Sequence, residues 1–152
     1  MSDLRELYQE VILDHSRQPR NFRRPAGANR EARGDNPLCG DRVTIYLTVE
    51  NDVVKDVGFV GRGCAISVAS ASLMTEVLKG KTVAEAEALF RQFQTMVTKG
   101  DGGDGEAIEL EKLEALAGVR EYPMRVKCAT LCWHTMAAAL NAAAGAVSTE
   151  KS

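Results

Sequence analysis

RVTIYLTVENDVVKDVGFV, Arg42 to Val60, is the stretch that decides the fold. Val43, Ile45, Leu47 and Val49 alternate with Thr44, Tyr46 and Thr48, the period of a strand with one buried face. Asn51-Asp52 supplies a turn, and Val53 to Val60 is a second β-rich run, so the two predict an antiparallel hairpin. On the N-terminal side, Leu4, Leu7, Tyr8, Val11 and Ile12 recur at helical spacing, which predicts a helix over Asp3 to Arg17 with Ser2 or Asp3 as its cap. Pro19 stops that helix, and a polar connection runs on to Arg33. On the C-terminal side, Gly61-Arg62-Gly63 breaks the strand, and Ser67 to Lys79 reads as a helix closed by Gly80. Its face of Ala69, Ser70, Ala71 and Ser72 is small enough for another backbone to approach, so burial is expected. Thr82 and Glu85 form a capping box that opens a further helix to about Thr98. A short helix over Ile108 to Leu116 and a final Ala-rich helix after Cys128 complete the chain, with a polar, frayed tail from about 146. The fold class is α+β: one domain over 1–152, with a small antiparallel sheet of about three strands packed against several helices.

Composition narrows the function. Aromatic residues make up only 5% of the chain, so Ala, Val, Leu and Met must fill most of the core. The formal net charge of −2 offers no global field for nucleic acid or an anionic membrane. The basic cluster from Arg17 to Arg24 reads as a solvated loop, His15 as a surface residue or C-terminal helix cap, and Gly100 to Gly105 as a mobile loop. No N-terminal stretch resembles a signal peptide and no apolar run would span a bilayer, so a reducing cytoplasm is the expected compartment. There the four cysteines point to metal binding or catalysis rather than disulfides.

Three of those cysteines sit at junctions between irregular and regular backbone: Cys39 before a strand, Cys64 before a helix and Cys128 before another. A helix N-terminus favours a thiolate, the form that binds metal and attacks sulfur. Flanking glycines allow close backbone approach. Asp41 follows Cys39 by two positions, so both side chains of an extended segment fall on one side. Three sulfurs and a carboxylate fill a tetrahedral zinc site. The ligands are widely spread, however, and spacing alone leaves metal ligands and core cysteines both open.

Three segments carry a resemblance: Gly34-Asp-Asn-Pro-Leu-Cys-Gly-Asp41, Gly61-Arg-Gly-Cys-Ala-Ile-Ser-Val-Ala-Ser-Ala-Ser72, and Arg125-Val-Lys-Cys-Ala-Thr-Leu-Cys-Trp-His-Thr135. In this order they resemble the SufU branch of the IscU-like iron–sulfur cluster assembly family, over nearly the whole chain. Lys127 stands where IscU-type scaffolds carry a histidine, and the segment from about 96 to 117 is similar to the insertion of the SufU branch. The resemblance implies a zinc site of Cys39, Asp41, Cys64 and Cys128. It implies a cytoplasmic, sulfurtransferase-like accessory protein whose Cys39 accepts persulfide sulfur from a pyridoxal-phosphate-dependent cysteine desulfurase of the SufS type. A histidine of that partner would displace a zinc ligand and free the thiolate. Downstream iron–sulfur assembly proteins would receive the sulfur. The alternative is a scaffold on which the same ligands hold iron or a [2Fe–2S] cluster. Arg125 is expected either to stabilise charge near the sulfurs or contact the partner, or to form a surface ion pair. Cys132, one helical turn past Cys128, reads as a small buried hydrophobe, and His134 as a structural hydrogen-bonding residue.

Overall fold

The structure is a computed structural model and describes residues 3–36, 40–99, 123–140 and 146–148. Helix α1 covers Asp3–Arg17, the span its periodicity predicts. The hairpin forms strands β2 (Asp41–Glu50) and β3 (Val53–Arg62), joined by Asn51 and Asp52 at φ 53° and 64°. Positive φ at both turn residues matches the strand twist, which is why an Asn-Asp pair closes the hairpin tightly. Val43, Ile45 and Leu47 of β2 point inward and are buried, as their alternation requires.

Strand β1, Arg30–Asn36, pairs antiparallel with β2 from Arg30 opposite Leu47 to Asn36 opposite Asp41. The polar sequence predicts a connection here, and the structure has a strand. Its inward positions are Ala32, Gly34 and Asn36, too small or too polar to show an apolar period. The tail also differs from expectation: Ala146–Ser148 forms β4, parallel to β1, giving the sheet order β3-β2-β1-β4. Hydrogen bonding to the edge of β1 orders this three-residue segment, and composition does not register that term.

Helix α2 (Ala65–Leu78) packs between α1 and helix α4 (Pro123–Leu140), with α4 lying across the inner face of the sheet. The small face of α2 is buried as expected; the Ser70 hydroxyl donates to the Ala129 carbonyl of α4 at 2.6 Å, a helix–helix contact that a larger side chain would prevent. Helix α3 (Val83–Lys99) starts with the capping box. The Glu85 amide donates to Thr82 Oγ1 at 3.1 Å and the Thr82 amide donates to Glu85 Oε1 at 2.9 Å. Phe93 of α3 stacks on Trp133 of α4 at 4.8 Å between ring centroids. Of the expected insertion, 96–99 complete α3 and the rest, with the helix read over Ile108 to Leu116, lies outside the described residues.

Two local expectations need correction. Cys128 does not precede a helix: α4 begins at Pro123, so Cys128 lies in its second turn, beyond the reach of the helix-end field. Pro123 has no N–H to lose, and so begins a helix readily. His15 is neither exposed nor a cap. It is buried, its Nδ1 is 2.7 Å from the hydroxyl of Ser72, and its Nε2 is 3.8 Å from Glu76. The small serine on α2 leaves the space that draws the imidazole in. Among the described residues no helix is long and apolar enough to cross a membrane.

Candidate metal centre

Three chain segments deliver side chains to one point. Asp41 opens β2, Cys64 caps the N-terminus of α2, and Cys128 projects from α4 where that helix crosses the sheet end. One carboxylate oxygen and the two sulfurs lie within 4.8 Å of one another. Asp41 and Cys128 are buried, at 1% and 0% exposure, while Cys64 is half-buried, so the centre opens to solvent on the Cys64 side. Cys39 lies outside the described residues. The structure therefore brings three of the four expected ligands together.

The backbone shapes this convergence. Gly40 takes φ 76° and its amide donates to the Asn36 carbonyl at 2.8 Å, turning the chain from β1 into β2 just before Asp41. Gly63 is required by contact: a Cβ there would stand 2.6 Å from Asp41 Oδ1 and 3.0 Å from the Ser67 hydroxyl. The expectation that glycines let the backbone close on the site holds at this residue. Asn36, buried and opposite Asp41 in the β1–β2 register, is a neighbour that the sequence reading left without a role. Its place in the first quoted motif was the only signal for it.

The Cys64 amide donates to Asp41 Oδ1 at 3.1 Å. Asp41 Oδ2 is buried and has no hydrogen-bond partner among the described residues. A buried, unpartnered carboxylate oxygen costs about 1–3 kcal/mol or more. A cation held by the carboxylate and the two sulfurs would remove the penalty, so the donor set fits a metal. Thiolate with one carboxylate is a zinc-type set and also serves iron.

The sulfurs are poised for it. The Cys64 thiol is pushed down to about 6, first by its hydrogen bond with Cys128. Burial opposes this, the Ser67 and Ile66 amides at the start of α2 reinforce it, and the Asp41 charge opposes it. The exposed Arg125 guanidinium lies against both Cys64 and Cys128, whose charges raise its pKa above the usual value.

Cys132 is buried in the core with its thiol pushed up to about 12 by burial, and it donates weakly to the Ser70 hydroxyl at 3.5 Å. It is a packing residue. His134 is half-buried, which lowers its pKa, and it meets the Phe90 ring edge-on at 5.0 Å.

Comparison with known proteins follows the same lines. The family model for the NifU-like N-terminal domain matches residues 7–142. The chain is 39% identical over 135 residues to the zinc-dependent sulfurtransferase SufU of Bacillus subtilis, covering 89% of this chain and 90% of that one. It is 38% identical over 146 residues to the iron–sulfur cluster assembly scaffold protein IscU of Streptococcus pyogenes, covering 96% and 90%. The crystal structure of FiSufU from Fervidobacterium islandicum AW-1 superposes with a TM-score of 0.80 at 36% identity, covering 89% of this chain and 97% of that one. The chain belongs to the NifU-like N-terminal domain family, the family of the SufU and IscU iron–sulfur cluster assembly proteins.

Proposed function

We propose that this protein is a zinc-dependent sulfurtransferase. It accepts persulfide sulfur on Cys39 from a pyridoxal-phosphate-dependent cysteine desulfurase of the SufS type and passes it to iron–sulfur cluster assembly. The observation that carries the reading is the buried Asp41 carboxylate, one oxygen of which lies within 4.8 Å of the Cys64 and Cys128 sulfurs and whose Oδ2 has no hydrogen-bond partner among the described residues. The similarity to a relative named as a zinc-dependent sulfurtransferase supports it.

Cys39, Asp41, Cys64 and Cys128 would hold the zinc. When bound, the ion supplies positive charge that keeps the thiols deprotonated at neutral pH. The chain's own groups prepare the same end. The Cys64 amide holds the Asp41 carboxylate in one orientation, and Arg125 balances the charge of Cys64 and Cys128 from the solvent side. Transfer itself is thiol exchange. The Cys39 thiolate attacks the terminal sulfur of the donor's persulfide, and a new S–S bond forms at Cys39. The donor's S–S bond breaks, and the donor cysteine leaves as thiolate while the terminal proton stays on the transferred sulfur. No external oxidant or reductant is consumed.

A second reading, a scaffold for a [2Fe–2S] cluster on the same four residues, draws on the 38% identity to an IscU protein. Metal analysis of gently purified protein, paired with a desulfurase assay with and without it, separates the two. Zinc with stimulation supports the sulfurtransferase; iron without stimulation supports the scaffold.

A further inference from the structure

The two strand ends that feed the metal centre also feed the opposite face of the sheet. Asp41 and Val43 of β2 point inward, so Arg42 between them points outward; on β3, Arg62 lies two residues before Cys64 and also faces out. Arg42 and Arg62 are cross-strand partners in the β2–β3 register. Like charges directly opposite destabilise a sheet. Arg33 of β1, opposite Thr44, adds a third guanidinium on the same face. All three arginines are exposed, and none forms an ion pair or side-chain hydrogen bond among the described residues. Asp35, opposite Arg42, is the one carboxylate set among them; Glu31 stands further along β1, opposite Tyr46.

The rest of this face is covered. Arg24 lies over the Tyr46 ring at 5.5 Å, and the Arg23 carbonyl and Pro25 ring pack so closely on Gly58 that a Cβ there would meet them at 2.3 and 2.6 Å. Among the described residues, the other end is an open cleft of about 380 Å³ lined by Arg33, Asp35, Arg42, Thr44, Val60 and Gly61. Among the described residues, a chain with a net charge of −2 thus sets three unpaired guanidiniums beside Asp35 at the strand ends that lead to Asp41 and Cys64, on the outward face of the sheet.

We infer that Arg33, Arg42 and Arg62 form the docking surface for the sulfur donor, a protein that carries an acidic strip beside its persulfide-bearing cysteine. The inference rests on the proposed sulfurtransferase function. Carboxylates of the donor pair with the three guanidiniums, which removes the Arg42–Arg62 repulsion and turns the donor's cysteine toward the Cys64 side of the centre. Charges on such a surface govern encounter rate and orientation more than chemistry at the centre.

The test is stimulation of the purified cognate desulfurase by the full-length protein, wild type and R42E/R62E, titrated at low and high salt. The variant is checked for zinc content and unfolding temperature, and R33E alone serves as a second probe if the double variant does not fold. Charge reversal is expected to raise the half-saturating concentration roughly tenfold with the maximal rate retained, and to flatten the salt dependence. An unchanged half-saturating concentration and salt slope, or a loss confined to the maximal rate, overturns the docking surface and leaves the sulfurtransferase reading standing. Absence of stimulation by wild type at any concentration removes that reading and the docking surface with it.

Discussion

Asp41 and Cys64 meet through a backbone-to-side-chain hydrogen bond: the Cys64 amide donates to Asp41 Oδ1 at 3.1 Å, and the Cys64 sulfur lies within 4.8 Å of a carboxylate oxygen of Asp41. One residue opens a strand and the other caps a helix, so sheet and helix are held at a fixed separation at the metal centre.

Asp41 is the proposed carboxylate ligand beside the Cys64 and Cys128 sulfurs. Asp41→Ala should lower zinc affinity by more than about tenfold, since even groups supporting a ligand from behind are worth that much. Asp41→Asn keeps the acceptor for the Cys64 amide and should fall between. A competition titration with a chromogenic chelator measures both, and equal affinities in all three proteins strike Asp41 from the ligand set.

Gly63 offers a steric test of the same contact. Gly63→Ala places a methyl 2.6 Å from Asp41 Oδ1, so the carboxylate or the α2 N-terminus must move. Overpacking of this kind costs about 1–3 kcal/mol. Chemical denaturation should show a lower midpoint, and metal analysis a lower zinc content. A variant that matches wild type in both removes the close approach as a constraint.

Cys39 is expected to be the acceptor. Cys39→Ala should abolish stimulation of the desulfurase while the far-ultraviolet circular dichroism stays that of wild type. Persulfide found on another cysteine of wild-type protein by mass spectrometry would assign the role elsewhere.

Cys132 should be silent in the folded protein. Its thiol, raised to about 12 and buried, presents almost no thiolate at neutral pH. Iodoacetamide at pH 7 should leave it unmodified until denaturant is added. Modification at the rate of an exposed thiol contradicts its place in the core.

Asp56 gives the fold an acid-sensitive tie. Burial raises its pKa, but hydrogen bonds from Arg23, the Val57 amide and Lys79 lower it further, and the net shift is downward. A depressed carboxylate stabilises the folded state above its unfolded pKa and loses that contribution as pH falls through the folded value. Asp56→Asn should therefore cost up to about 1 kcal/mol at pH 7, the scale of a partly exposed ion pair, and less at pH 2, below the unfolded carboxylate value. Unfolding curves at the two pH values decide it; a cost independent of pH rules out the ionic tie.

Much of this molecule is legible in one dimension because the deciding signals are local. The bounds of α1, the hairpin from Asp41 to Arg62 and the Thr82–Glu85 box follow from spacing, turn residues and caps within a few positions. The motifs around Asp41, Cys64 and Cys128 likewise marked the side chains that converge at the candidate centre, since chemistry restricts which residues can serve. Tertiary structure decided the rest. Strand β1 exists because β2 offers an unpaired edge, and His15 is buried because Ser72 leaves room for it. That Arg42 and Arg62 stand side by side beneath the metal centre depends on register, a relation between residues twenty positions apart. Short-range energies are written along the chain; pairings across the sheet and between helices are settled only when the whole core closes.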